Sequence, residues 1–398
     1  MALATSGRCE VLATGSGPAY GEGMLHPDRG SSRAAARALA PLLGRLLLGG
    51  LLLVTTGAGL AACGDTDRGA GSARTSPSSA PDPAAQSSPS KAPRPAPTRT
   101  LRGSVLLVSV DGLNPDAVTR LGSKGAPHIT RLLATGTGTR NARTAVELTR
   151  TLPNHTGMVT GRRIAAAKGG HGVTWNDART RPATVRRAAG EPVSSIFSVV
   201  HEAGGSSALF AAKSKFSLWK RSWPRAIDRS VVTSSDTQVV AAVRKDLRSR
   251  DRALRFVHLA APDKVGHAHR FMSAEYLAAV RRTDARLGKV LRTLARTRPS
   301  TTVVLTSDHG GEGAGHGERN PASSRVILVA AGPGIARGAN LYALDPELHS
   351  PGSRRPGYGT ARPPARNLAA GNLALQTIGL GPVPGSEPEA AGPFRLTR

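Results

Sequence analysis

Four stretches of this chain are unbroken apolar runs, too short for typical helices and too uniform for a wet surface. They are "SVLLVSV" (104–110), "RFVHLAAP" (255–262), "TTVVLTS" (301–307) and "SRVILVAAGPG" (324–334). A strand with one solvated face alternates apolar and polar residues, whereas a strand buried on both faces reads as a continuous run rich in branched side chains. Helical periodicity fills the intervals. It is clearest over 273–297, where Tyr276, Leu277, Val280, Leu287, Val290, Leu291 and Leu294 form one apolar face. Such strands alternating with helices predict an α/β fold, a mostly parallel sheet covered by helices on both sides. Sheets of that kind bind ligands outside the carboxyl ends of their strands. Three of the four runs deliver an aspartate there: Asp111, Asp263 and Asp308, the last followed by His309.

The chemistry available at those ends is bounded by what the chain lacks. Its two cysteines, Cys9 and Cys63, both precede residue 100. Residues 101–398 therefore hold any metal through histidine and carboxylate alone. Asp263 opens "DKVGH", which places His267 four residues on, with Gly266 expected to turn both side chains to one point. Asp308-His309 opens the glycine-dense "DHGGEGAGHGERN", which carries His316. A lone strand-end aspartate is often only a helix cap, and a lone histidine after a glycine loop is usually a surface residue. Three carboxylates and three imidazoles together are enough for two catalytic zinc sites with room for a substrate oxygen. The mixture suits zinc better than magnesium, which prefers oxygen ligands.

"LTRTLPNHTG" (148–157) sets Thr151 before a Leu-Pro-Asn-His turn. A threonine hydroxyl is a weak nucleophile unless its pKa is lowered, and no cysteine or serine triad stands nearby. Coordination to zinc would supply that lowering. Thr151 is expected to begin a helix, because Pro153 is tolerated in a first turn, where a missing N–H costs nothing. The free N–H groups of that turn would face an incoming phosphate.

The first hundred residues follow a different grammar. Arg33, Arg37 and Arg45 precede the apolar "LLLGGLLLVTTGAGLAAC", so residues 1–63 read as an export leader. Leu60-Ala61-Ala62-Cys63 resembles a bacterial lipobox. It implies cleavage before Cys63, lipid on its sulfur, and a chain exported to the outer face of the cell membrane. An uncleaved anchor is the alternative, and Met24 competes with Met1 as the start. Residues 64–100 are rich in Ser, Pro and Ala and nearly free of large apolar side chains; they are expected to be a disordered spacer. Residues 101–398 would form the catalytic domain. The net charge of +28 admits two readings, a funnel for anionic partners or an arginine-rich solvated surface.

Taken in order, the motifs resemble the alkaline phosphatase superfamily, and within it the type I phosphodiesterase/nucleotide pyrophosphatase branch, over residues 103–385. "VDGL" matches that branch's first-strand Asp-Gly, "RTLPNHTGMVTG" its nucleophile turn, and "HGVTWN" the segment ending in Asn176. "PDKVGH", "SDHGG" and "HGERN" followed by "AAGPG" match its later ligand blocks. The resemblance implies the three-layer alkaline phosphatase-like α/β/α fold and a site with two zinc ions. Asp263, His267 and His316 would hold one, with His349 in reserve for His316. Asp111, Asp308, His309 and the Thr151 oxygen would hold the other. Thr151 would attack phosphorus to form a phospho-threonine, and Asn176 would donate its amide to a phosphate oxygen. The substrate would be a phosphate ester or a nucleotide, with no specific nucleic-acid partner.

Relatives divide by nucleophile. A sulfatase needs Cys or Ser at position 151, and the phosphoglycerate mutase branch uses serine in the cytoplasm. Phosphonoacetate-type hydrolases share the threonine and the ligand set, and a phosphomonoesterase could use the same metals. A non-catalytic basic lipoprotein that binds polyanions is the alternative of another class. The "GG" after Asp308-His309 and the "HAHR" of 267–270 depart from eukaryotic nucleotide pyrophosphatases and bear on the substrate. Residues 177–250 are expected to wall the pocket. Within them "AAKSKFSLWKRSWP" (211–224) reads either as a base-stacking, phosphate-attracting wall or as an ordinary helix start with one buried tryptophan. His155, His171, His258 and His269 are expected in structural roles, including hydrogen bonds to ligands.

Overall fold

A computed structural model describes residues 100–317 and 320–398. The leader, Cys63 and nearly all of the 64–100 spacer lie outside the described residues. Eight strands form one sheet in the order β4-β3-β5-β1-β6-β7-β2-β8. In chain order they are β1 (Val105–Val110), β2 (Thr137–Arg143), β3 (Ser207–Ala211), β4 (Arg229–Val232), β5 (Leu254–Leu259), β6 (Thr302–Thr306), β7 (Arg325–Ala331) and β8 (Ala339–Asn340). The three runs that end in aspartate are neighbours: β1 pairs in parallel with β5 on one side and β6 on the other.

Side-chain alternation along β1 builds both faces of the sheet. Val105 and Leu107 enter one core, with Phe197, Phe216, Trp219 and Leu373. Leu106, Val108 and Val110 enter the other, with Val118, Val243, Val280 and Leu287. Helices therefore cover both faces, which is the three-layer arrangement expected. Each fully buried leucine of this kind contributes about 1.5–3 kcal/mol relative to exposure. The helix Ala274–Thr297 is capped by Ser273, whose side chain accepts from Tyr276 N, and it buries Tyr276, Leu277, Val280, Leu287, Val290 and Leu294.

Two expectations are corrected. The fourth apolar run, β7, is antiparallel to both β6 and β2. A parallel return needs a helical crossover across a face, and the segment from Ser307 to Ser324 spends its length on the site loop, with only the short helix Pro321–Ser324. The run 255–262 is not all strand. β5 stops at Leu259, and Pro262 occupies the first turn of a helix, Ala261–His269. Burial also reaches the arginines. Arg143, Arg255 and Arg366 are at most 2 % exposed, and Arg143 and Arg366 donate to main-chain carbonyls such as Gly352 O and Pro356 O. Part of the basic composition is thus internal scaffolding. Among the described residues no helix is long and apolar enough to cross a membrane.

Candidate active site

Asp111 leaves the end of β1, and Gly112 follows with φ +67°, a value that favours glycine. A Cβ there would sit 2.9 Å from Asp263 Cα. Only glycine lets the two aspartate-bearing segments approach this closely. Asp308 and His309 follow β6, and Gly112 N donates to Asp308 Oδ1 at 3.0 Å. Thr151 is the first residue of the helix Thr151–Thr160, as expected, and its hydroxyl lies 3.5 Å from Asp111 Oδ1. Asp263 and His267 meet because they stand four apart on one helix face, with His267 Nε2 3.4 Å from Asp263 Oδ1. The expected role for Gly266 as a turn is replaced by another: it makes room for the Phe271 ring, which a Cβ would meet at 2.7 Å.

His316 arrives on the glycine loop. Its Nε2 stands 3.7 Å from Asp263 Oδ1 and 3.1 Å from His267 Nε2, and its ring stacks on His309 at 3.7 Å. Asp263, His309 and His316 offer atoms within 4.8 Å of one another, and so do Asp111, Asp308 and His309. His309 thus stands between the two groups, 3.6 Å from Asp111 Oδ1 and 3.8 Å from Asp263 Oδ1. His349 joins neither; it is exposed, and its N–H bonds Pro363 O.

The protonation pattern tests whether a cation fits. His267 Nδ1 faces Ala314 O, His309 Nδ1 faces Gly310 O, and His316 Nδ1 faces Thr149 O. A carbonyl only accepts, so each Nδ1 carries a proton. Burial keeps His309 and His316 toward the neutral form in which Nε2 presents a lone pair, while the Asp263 hydrogen bond draws His267 toward its charged form. The three Nε2 atoms gather beside the carboxylates of Asp111, Asp263 and Asp308. Buried Asp263 Oδ1, Asp308 Oδ2 and His309 Nε2 have no hydrogen-bond partner among the described residues. Burial, then His316, pushes His309 down to about 4, which keeps its ring neutral. Burial and the neighbouring Asp111 charge push Asp308 well above the usual carboxylate range. A cluster of acceptors this short of donors is what metal ligands present, and the residues fit a divalent cation.

Further residues complete the surroundings. His258 accepts from Ala212 N at its Nδ1, so its Nε2 holds the proton and donates to Asp111 Oδ2 at 2.9 Å. His155 Nδ1 donates to Thr151 O, leaving Nε2 to accept from Ser109 Oγ. Asp236 accepts from Ala260 N and Ala261 N, fixing the start of the helix that carries Asp263. Asn176 Oδ1 accepts from Leu152 N and from Lys215 Nζ, both at 2.9 Å, which fixes the amide orientation beside the start of the Thr151 helix and leaves the NH2 unused by either bond.

The segment 211–224 divides in a way neither reading anticipated. Phe216, Trp219 and Trp223 are core residues, so both tryptophans are buried and no stacking wall forms. Lys213, however, enters the site: its Nζ lies 2.6 Å from both Asp111 Oδ2 and Asp263 Oδ2 and 3.4 Å from Thr151 Oγ1. Burial opposes its charge, but Asp111 and Asp263 outweigh that and hold the ammonium above the ordinary lysine range. Sequence reasoning had a usable signal, since Lys213 follows the short apolar run of β3 as the aspartates follow theirs.

The family described as type I phosphodiesterase/nucleotide pyrophosphatase matches residues 105–322, a span that includes Asp111, Thr151, Asn176, Asp263, His267, Asp308, His309 and His316. The chain belongs to that family. As a type I phosphodiesterase/nucleotide pyrophosphatase family member, it shares a fold with murine ectonucleotide pyrophosphatase/phosphodiesterase 5, solved as an inactive variant with AMP (TM-score 0.54, 14% identity, 71% of this chain and 96% of that one). The human protein of the same name aligns with TM-score 0.53 and 15% identity, over 71% of this chain and 96% of that one. Curated relatives include GPI ethanolamine phosphate transferase 1 of Gibberella zeae, 33% identical over 27% of this chain and 10% of that protein. The Chaetomium globosum protein is 31% identical over 28% and 12%. The chain thus spans only about a tenth of the length of these transferases.

Proposed function

We propose that this chain is a zinc-dependent hydrolase of phosphodiester or nucleotide pyrophosphate bonds that works through a phospho-threonine at Thr151. One observation carries the reading: three carboxylates and three imidazoles gather from separate elements, the Thr151 hydroxyl stands 3.5 Å from Asp111 Oδ1 at their edge, and buried acceptors are left unpartnered among the described residues. Asp263, His267 and His316 would hold one zinc, and Asp111, Asp308, His309 and Thr151 the other. Bound there, zinc lowers the pKa of a coordinated hydroxyl and neutralises charge on phosphate oxygens.

The protein's own groups do the rest. Thr151 gives its hydroxyl proton to solvent water and its Oγ attacks phosphorus in line; the bond to the leaving oxygen breaks, and that oxygen takes a proton from water. Asn176 donates its amide to a non-bridging oxygen, and the Lys213 ammonium offsets its charge. The helix N-terminus at Thr151 favours the anion at the point of attack. Water then attacks phosphorus, the Thr151–phosphorus bond breaks, and the hydroxyl regains its proton. The inactive murine relative with AMP carries an alanine in place of a threonine, which agrees with a threonine nucleophile and a nucleotide substrate.

A second reading has its own observation. Lys213 is paired with Asp111 and Asp263, but among the described residues Lys215 Nζ bonds only the neutral Asn176 Oδ1, which leaves one ammonium charge beside the nucleophile helix for the substrate. A phosphonate or monoester, with an extra negative charge, would use it. Export by the leader and anchoring through lipid on Cys63 complete the proposal, which places the domain at the outer face of the cell membrane on its spacer.

The test compares bis-(p-nitrophenyl) phosphate with p-nitrophenyl phosphate on the zinc-loaded protein, with Thr151→Ala and chelated protein as controls. Diester cleavage that vanishes in both controls is expected. Preference for the monoester moves the reading to a phosphatase, and turnover of phosphonoacetate alone moves it to a phosphonate hydrolase. Salt-sensitive polyanion binding without any turnover would leave only the non-catalytic binder.

A further inference from the structure

The nucleophile helix is braced from the far end of the chain. The helix Ala370–Thr377 presses so close that a Cβ on Gly371 would meet Met158 O at 2.1 Å. The 3-10 turn Asn367–Ala369 leads into that helix, and Leu368 Cβ lies 3.6 Å from where a Cβ on Gly157 would be. Two amides, Asn154 and Asn367, meet at this junction, both fully buried.

Each amide grips one half of the site. Asn154 Nδ2 donates to Leu148 O at 2.7 Å and Arg150 O at 3.1 Å, and its Oδ1 accepts from Ala145 N at 3.0 Å. It therefore holds the segment that delivers Thr151. Asn367 Nδ2 donates to Asp308 O at 2.9 Å and Ser307 O at 3.1 Å, and reaches Asn154 Oδ1 at 3.4 Å. Main-chain carbonyls cannot donate, so both amide orientations are fixed. The arrangement has a cost that stability alone does not explain: Asn367 Oδ1 is buried with no partner among the described residues. A leucine of the same shape would avoid that cost.

We infer that Asn154 and Asn367 form a positioning device that sets the distance between the Thr151 hydroxyl and the Asp308–His309 pair. The inference rests on Thr151 being the nucleophile. Neither amide touches a reacting atom. They join two elements that approach the cleft independently, where a misplacement of about 1 Å costs on the order of 100-fold in rate.

The test uses the full zinc-loaded chain and bis-(p-nitrophenyl) phosphate, reading kcat, KM, zinc affinity by chelator competition, and Tm for each variant. Asn367→Leu keeps the volume and removes the donor. Asn372→Leu is the control. Asn372 is a buried amide on the same bracing helix, bonded to Ser386 Oγ, Ala390 O and Val383 N, and it meets the nucleophile helix at Gly161, the end opposite Thr151. The expected result is a kcat about 10- to 100-fold lower in Asn367→Leu, with KM within about two-fold and weaker zinc retention. Asn372→Leu is expected to lose Tm but keep kcat within about two-fold. Unchanged kcat in a folded Asn367→Leu, or equal kcat losses in the two variants, overturns the positioning role. If Asn367→Leu does not fold, Asn367→Ala carries the same comparison. Full activity in Thr151→Ala sinks the nucleophile reading itself, whereas its inactivity beside a fully active Asn367→Leu overturns only the positioning role.

Discussion

The two halves of the site are built from different material. Asp111, Asp308 and His309 leave adjacent central strands and are wholly buried. Asp263, His267 and His316 sit on a helix and a glycine loop, and the His267 side chain is 48% exposed. Strand ends inside a packed sheet cannot move without disturbing both cores, so the inner half is preorganised. His267, the open member of the outer half, is held by solvent-exposed contacts such as Nδ1 to Ala314 O and can adapt. The inner group is therefore expected to hold its ion tightly and aim the nucleophile, and the outer group to exchange its ion more readily.

The sharpest way to break this comparison is Asp308→Asn. Turnover is expected to fall by more than the roughly 10–100-fold that loss of a supporting partner costs. The same change relieves a buried charge repelled by Asp111, while its Oδ1 still accepts from Gly112 N. Chelated Asp308→Asn is thus expected to melt at or above chelated wild type, a trade of stability for function. A lower Tm for the chelated variant would show that the inner half is not strained.

His267→Asn comes next. Because the outer half is open, its activity loss is expected to be smaller than that of Asp308→Asn, and excess zinc restores part of it. Zinc content measured after dialysis should fall toward one ion per chain. An equal loss in the two variants, with no rescue, would erase the distinction between the halves. A smaller effect is expected from His258→Gln, about 10-fold in activity, because the ring only orients Asp111. Unaltered zinc retention in that variant would argue against orientation of the inner group.

The same contrast explains what was legible beforehand. The inner half could be read directly, because a doubly buried strand announces itself as an apolar run and its last residue as a site. Asp263 and His267 were also visible by spacing, although the expected turn is a helix. β2, "TGTRNAR", carries no strand signal, because Gly138, Arg140 and Asn141 break any alternation and its burial is uneven. Asp236 and Asn367 carry no such local signal. Their roles depend on contacts across 24 and 59 residues of chain, and no local pattern carries such pairings.

The smallest effect concerns the segment that joins Thr151 to the rest of the fold. Glu147 accepts from Arg163 Nε at 2.9 Å and from the Tyr358 hydroxyl at 2.9 Å. Burial alone would raise its pKa, but the Arg163 hydrogen bond, its own backbone N–H and Tyr358 outweigh burial and hold it below the usual glutamate range. Between the folded and unfolded values the unfolded chain binds the extra proton, so stability rises with pH through that window. The contribution is complete above the unfolded value near 4.5 and is lost as pH falls through the folded one. Glu147→Gln is expected to cost about 1 kcal/mol at neutral pH and to converge on wild type in acid. Urea denaturation from pH 7 downward would measure it, and parallel stability curves at every pH would show that this carboxylate does not tie the nucleophile segment down. Because Glu147 touches neither half of the site, kcat at neutral pH should barely change, in contrast to every substitution among the ligands.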